Sequence, residues 1–359
     1  MLLGAGLRDA GATVAIVGLF GGLGAQGVRG LCERHRLACL RVSMPRLIGD
    51  LPTRGAVKQF ARDLAALSPE VVLPLTAVPN VLCSLTWRRA GAKACIWNQR
   101  DEGVELPDGF WQREAIARAS GFVSNSVGGA RVLGERFGVP AERVRIVPNA
   151  VVLERPRQTG AEWHAALGAG ERTIGVMVGN LQKNKDHATL VAAWWRVVDA
   201  MPMGAAPPLL VLAGRRGDTA AEIETQIAAL GLGDHVRVIG ETEDISGLLA
   251  AADFAVFASH AEGMPNGVLE PMAAGLPIVA SDVAGVRAAL GAAAGLNWLS
   301  PPTNAAALAA AVGNILLDET GRRAAGEANR AVAAGFSIGA SVAAMRAAIS
   351  DAFSEPRRK

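Results

Sequence analysis

The sequence predicts an α/β protein of two doubly wound units, and three observations carry that prediction. Apolar, β-branched runs alternate with helical patterns along the whole chain, the signature of parallel sheets covered by helices. At 359 residues the chain is long enough for two domains of ordinary size. A polar stretch with no strand pattern, residues 153–170, divides the alternation into two series and reads as a linker.

In the first series the expected strands are residues 13–18, 38–43, 71–75, 94–97, 121–125 and 144–147, with helical stretches at 54–67 and 128–137. In the second they are 173–178, 209–213, 236–239, 254–258 and 278–281. The expected domains are 1–153 and 154–335, followed by a terminal segment, 336–359, in which Val342, Met345, Ile349 and Phe353 recur at helical spacing. Two such units leave a cleft between them. Ligands in doubly wound sheets bind beyond the carboxyl ends of the strands, so function is expected in the loops that follow them.

Composition excludes several classes. A net charge of +3, with no dense Lys/Arg stripe and interleaved aromatics, argues against nucleic acid. Arg357-Arg358-Lys359 reads as a solvated end with at most a weak attraction to an anionic membrane surface. Cys32, Cys39, Cys83 and Cys95 form no Cys-x-x-Cys pair, so no zinc or thioredoxin-like site is indicated. No uninterrupted apolar run reaches the roughly 18 residues of a membrane span, and the start lacks a signal-peptide layout. A cytoplasmic location is the expectation.

The most informative segment runs from Ser259 to Pro277, after the expected strand 254–258. Glu262 and Glu270 stand eight apart, with a Gly263-Met264-Pro265-Asn266-Gly267 loop between them and a helix expected to start near Gly267. A glycine-rich loop that opens a helix presents unpaired N–H groups which, with the helix dipole, bind phosphate. The amides from Gly263 to Leu269, through Asn266, Gly267 and Val268, are therefore phosphate candidates. Glu270, about one turn into the helix, can reach a ribose diol, and Glu262 can reach a donor sugar. The plain alternative is a strand-to-helix turn with solvated glutamates.

This stretch resembles the Glu-x7-Glu signature of retaining glycosyltransferase family 4, the glycosyl transferases group 1. Glu262-Gly263-Met264-Pro265-Asn266 and Glu270-Pro271-Met272-Ala273-Ala274-Gly275-Leu276-Pro277 match it closely. The resemblance extends over roughly residues 122–353, including Asn125-Ser126, Val147-Pro148-Asn149 and residues 179–285. It implies the GT-B fold, two Rossmann-like domains facing across a cleft, with the nucleotide on the second and the acceptor on the first. It implies that the terminal segment crosses back to the first domain. It also implies a retaining, metal-independent transfer of a sugar from a UDP-, GDP- or ADP-sugar to an acceptor hydroxyl, with no cofactor. The family's commonest setting is polysaccharide or lipopolysaccharide assembly, with a glycan or lipid-linked acceptor and peripheral contact with the inner membrane face.

Within that resemblance, Lys185 matches the phosphate-gripping lysine of the loop 179–187 and, with Glu262, is expected to carry catalysis. Asn180 stands where the family carries an arginine, so an amide replaces a charge. Lys183 is a further cation candidate, with a solvated lysine as its plain reading. His187 reads as a helix-start polar residue. The loop that includes Thr242 is expected to lie against the nucleobase through backbone atoms, which leaves the base undetermined. Arg215 and Arg216 are further candidates, with a solvated loop as their plain reading.

In the first half, Asn98, Gln99, Arg100 and Asp101 follow a strand and are candidates for acceptor or sugar contact, against a polar loop with a local Arg–Asp pair. Many relatives carry a histidine near here, and this chain does not. Residues 22–27 spell Gly-x-Gly-x-x-Gly, a weak dinucleotide signal when alone, and Arg41 to Met44 supply no acidic residue at the end of the next strand. Residues 2–11 and 12–17 look instead like the family's first helix and second strand. The family's first strand then has no counterpart, as a misplaced start would produce, and the centre of the first sheet is expected to be vacant or unusually filled. The rival readings are a nucleotide-sugar 2-epimerase of the same fold and a non-catalytic nucleotide-sugar-binding relative. A phosphorylase is disfavoured because no pyridoxal phosphate lysine is identifiable.

Overall fold

The computed structural model describes residues 1–18, 27–42, 47–48, 51–103, 106–354. The Gly-x-Gly-x-x-Gly stretch from Gly22, the residues around Met44 and the basic tail fall wholly or largely outside them. The chain forms two compact units: one comprises residues 1–150 and 337–359, the other 151–336.

In the first unit, β1 (Ala15–Gly18) and β2 (Ala38–Arg41) pair in parallel. A short antiparallel hairpin, β3 (Leu47–Ile48) and β4 (Leu51–Pro52), follows. Then β5 (Val71–Val72), β6 (Ala94–Gln99), β7 (Gly121–Ser124) and β8 (Val144–Ile146) form a parallel sheet in the order β5-β6-β7-β8. Among the described residues no ladder joins β1 to β5. Yet Val14 packs with Val71 and Leu73 in one apolar cluster, and Val17 packs with Val72 in another. Among the described residues no strand pairs with both ladders.

The last helix, Ile338–Ser354, belongs to the first unit. It buries Val342, Met345, Ala348 and Ala352 in a cluster with Ala94, Ile96 and Val123 of the sheet and Leu7 of the first helix, Leu2–Asp9. Ser341 Oγ donates to the Pro148 carbonyl at 2.8 Å. Phe353, expected on the apolar face, is about half exposed because the buried stripe runs through Ala348 and Ala352 instead. The stretch Glu319–Ser354 is long and apolar enough by composition to cross a membrane. It is two helices, Glu319–Ala333 and Ile338–Ser354, with buried faces in separate units.

The second unit holds β9 (Ile174–Val178), β10 (Leu209–Ala213), β11 (Val236–Gly240), β12 (Phe254–Phe257), β13 (Ile278–Ser281) and β14 (Trp298–Ser300), all parallel, in the order β11-β10-β9-β12-β13-β14. Helices cover both faces, so β10, β12 and β13 are buried throughout and read as continuous apolar runs. The chain steps outward from β9 to β11 and then returns to place β12 on the other side of β9. The strand order reverses between β9 and β12, where a doubly wound sheet opens a crevice beyond its carboxyl ends.

The expected linker needs correction. Residues 153–170 contain the helix Gly160–Leu167, which opens on a capping box. Thr159 Oγ1 accepts from the Glu162 amide at 3.2 Å, and Glu162 accepts from the Thr159 amide at 2.7 Å. The Thr-x-x-Glu spacing signals this motif. The helix is short and largely exposed, which hid its periodicity.

Candidate functional site

The loops after β9 and β12, on either side of the reversal point, are stitched together by backbone bonds. Asp186 donates to the Ala258 carbonyl at 3.0 Å and His260 to the Asn184 carbonyl at 3.1 Å. Lys185 pairs with Ser259 in an isolated antiparallel bridge. Just beyond, Asp186 Oδ1 accepts from the Thr189 amide at 3.1 Å and caps the helix His187–Asp199. This cap fixes the turn that aims Lys185 across at the neighbouring loop.

Lys185 Nζ and Glu262 Oε1 form an ion pair, with both side chains largely buried. The ammonium also lies 4.7 Å from the centre of the Phe257 ring, a cation–π contact. Ser259 Oγ stands 2.7 Å from the same Glu262 oxygen. Lys185, Glu262 and the aromatic floor thus form one packed group at the ends of two adjacent strands.

The helix Asn266–Ala274 starts immediately after, with Pro265 at its N-cap and no side-chain cap. The Val268 and Leu269 amides both donate to the Pro265 carbonyl at 3.1 Å, so these two expected phosphate donors are already engaged. Gly263 and Gly267 show no such bond among the described residues. Met264 is buried in the core and Asn266 is exposed. A Cβ on Gly267 would strike the Val178 carbonyl and the Phe257 ring, and one on Gly285 would strike the Glu262 carbonyl. These close approaches let the helix start sit directly on β9 and β12.

Glu270 is half-buried, and its carboxylate makes no hydrogen bond or ion pair to a described residue. Burial pushes its carboxyl up to about 7. Asn180 Oδ1 accepts from the Arg215 amide at 3.0 Å, which ties the loop after β9 to the loop after β10. Lys183 is exposed, and Arg216 pairs with Glu224 at 2.5 Å. His187 is fully buried with neither ring nitrogen bonded, and burial pushes its pKa down to about 4, so it is neutral.

Thr242 Oγ1 accepts from the Asp244 amide at 3.1 Å. Asp244, which the sequence did not single out, is a hub. Its carboxylate accepts from the amides of Arg157, Gln158 and Gly247 and from Trp163 Nε1, at 2.9–3.1 Å. Burial raises its pKa, and these four bonds outweigh burial and hold it below the ordinary value. Ser259 was also missed. The Ser-x-x-Glu spacing to Glu262 was its only sequence signal.

Residues 161–332 match the family of glycosyl transferases group 1. Of the curated relatives, the D-inositol 3-phosphate glycosyltransferase of Nocardia farcinica is 30% identical over 235 residues, 63% of this chain and 51% of that one. The chain spans about half the length of the curated relatives it matches. Anabaena HepE, solved with UDP and glucose, superposes with a TM-score of 0.81 at 18% identity, covering 97% of this chain and 95% of that one. Sucrose-phosphate synthase from Thermosynechococcus elongatus gives 0.78 at 20% identity, over 98% and 92%. The fold is therefore GT-B.

In the first unit, two expected loop residues prove to lie in a strand. Asn98 and Gln99 end β6 and are buried. The Asn98 amide donates to Asn80 Oδ1 at 3.0 Å, and Asn80 Nδ2 donates back to the Asn98 carbonyl at 2.8 Å. Gln99 Nε2 donates to the Asp101 carbonyl at 3.0 Å, and Gln99 Oε1 accepts from Trp97 Nε1 at 3.2 Å. Arg100 pairs with Asn149 Oδ1 at 2.6 Å rather than with Asp101. Asp101 instead holds the Gly103 amide at 2.5 Å. The Asn149 of the Val-Pro-Asn motif therefore fixes Arg100, a link that needs tertiary structure to see.

Proposed function

We propose that the chain is a retaining, metal-independent glycosyltransferase that transfers a sugar from a nucleoside-diphosphate sugar to an acceptor hydroxyl. The observation that carries this reading is the grouping of Lys185, Glu262, the uncapped start of the helix at Asn266 and the unbonded Glu270 around one strand-order reversal. Lys185 and the Gly263 and Gly267 amides would hold the diphosphate. There they would stabilise charge as it develops on the leaving group. Glu262 would meet the sugar and Glu270 the ribose, with Asn180 and Thr242 shaping the loops beside them. The first unit would take a glycan or lipid-linked acceptor, with Arg100 and Asp101 as contacts. Asn98 and Gln99 would support them from the strand. UDP is the first nucleotide to try, because Anabaena HepE binds it.

The family resemblance supports the further step. The departing phosphate takes the acceptor's proton while the acceptor oxygen attacks from the same face. A cytoplasmic setting and a role in polysaccharide or lipopolysaccharide assembly accompany this reading. Incubation with UDP-, GDP- and ADP-glucose tests it, with hydrolysis or transfer followed by release of the nucleotide and the anomer read by NMR. Retained configuration without added metal is the expected result. Epimerised sugar would show a nucleotide-sugar epimerase, and binding without turnover would show a non-catalytic relative.

A further inference from the structure

We infer that Ser259 is a positioning residue that takes over Glu262 Oε1 when Lys185 turns to a diphosphate. The inference rests on the glycosyltransferase reading above. Ser259 is fully buried at the carboxyl end of β12, and its amide donates to Ser281 Oγ at 3.2 Å. Its hydroxyl has a single proton but lies 2.7 Å from two acceptors, Glu262 Oε1 and the Asn184 carbonyl. Rotation about the C–O bond chooses between them.

The Lys185 ammonium occupies the same Glu262 oxygen. While it does, that carboxylate oxygen is compensated, and the serine proton is free to satisfy Asn184. A bound diphosphate competes for the ammonium with two or more charged oxygens. Once Lys185 leaves, Glu262 is a largely buried carboxylate stripped of its counter-charge. A charge-assisted O–H···O bond from Ser259 then holds it in place. Only a small hydroxyl turn is required, so the carboxylate keeps its orientation and its second oxygen remains available to a sugar hydroxyl. The Asn184 carbonyl is not orphaned by the switch, because it keeps the His260 amide at 3.1 Å.

Calorimetry with UMP, UDP, UDP-glucose and their guanosine and adenosine counterparts tests this, together with turnover, on the full chain and on Ser259→Ala, Ser259→Thr, Glu262→Gln and the double variant. Ser259→Ala should weaken UDP and UDP-glucose alike by about tenfold, the scale of one hydrogen bond, while UMP, which carries no diphosphate to draw Lys185 away, stays within about twofold. The double variant should be no worse than Glu262→Gln alone, and Ser259→Thr, which keeps the hydroxyl, should recover most of the loss. Equal losses for UMP and UDP, or additive losses in the double variant, would overturn the assignment. If the unaltered chain binds no nucleotide at all, the functional reading fails. A crystal structure of Ser259→Ala soaked in inorganic pyrophosphate then decides the positioning role. Glu262 displaced supports it, and Glu262 unmoved refutes it.

Discussion

At the scale of single residues, Glu270 couples function to pH and stability in opposite senses. Its folded pKa, raised to about 7, stands above the unfolded value of about 4.3. Its contribution to stability is therefore full below the unfolded value and is lost as pH rises through about 7. Glu270→Gln, which keeps the shape without the charge, should melt higher than the unaltered protein at pH 8 and at the same temperature near pH 4. A carboxylate that accepts from a ribose diol works best ionised, so nucleotide affinity should climb between pH 6 and pH 8. Glu270→Ala should weaken nucleotide binding by roughly 1.5–3 kcal/mol at pH 8; calorimetry with no change for UDP, GDP or ADP would remove the ribose role. Glu262→Gln should lower turnover more than free-nucleotide affinity, because its expected partner is the sugar. Equal losses would mean that the two glutamates have exchanged roles.

At the scale of elements, the Asp244 hub joins the segment before the helix Gly160–Leu167 to the loop after β11. Asp244→Ala should cost roughly 1.5–3 kcal/mol at pH 7 by urea unfolding. Its folded pKa is depressed, so that contribution is present above the unfolded value of about 3.9 and fades as pH falls below it. A deficit that stays constant down to pH 3 would argue against the carboxylate as its source. Among the described residues β1 and β2 each have one strand neighbour, where β6, β7, β9, β10, β12 and β13 have two. The amides of β1 and β2 should exchange with deuterium earlier than those of β6 and β9. How much of this could be read in advance depended on how local the cause was. The strands of the second unit were legible because burial on both faces makes them unbroken apolar runs. Lys185 and Glu262 were singled out through their place after two strands and the resemblance of their loops to the Glu-x7-Glu family, and the structure brings the two side chains together. Asn98 and Gln99 were misplaced because polar residues at a strand end look like a loop, and only Asn80, 18 positions earlier, supplies their partner. Asp244 was silent, and Ser259 nearly so, for the same reason, since a serine or aspartate in a loop gains meaning from what folds against it.

At the scale of the whole molecule, the first unit depends on the chain's last helix for one wall of its core. A protein ending at residue 336 should keep the second unit folded, with β9 and β10 protected from hydrogen exchange. Residues 1–150 should exchange freely and be cut early by protease, because Leu7, Ala94, Ile96 and Val123 lose Val342, Met345 and Ala348. A first unit that stays protected without the helix would show that those contacts are dispensable. The same dependence sets a timetable on the ribosome. The first 150 residues emerge long before the helix that completes them, because the second unit, residues 151–336, is made in between. At roughly 5–20 residues per second that interval is about 10–40 s. A nascent half-domain with an open apolar face and unpaired strand edges must stay out of aggregates for that time, while its downstream neighbour can already fold. Yield in a cell should therefore respond to chaperone supply and to translation speed across residues 151–336 more than to the stability of the finished protein.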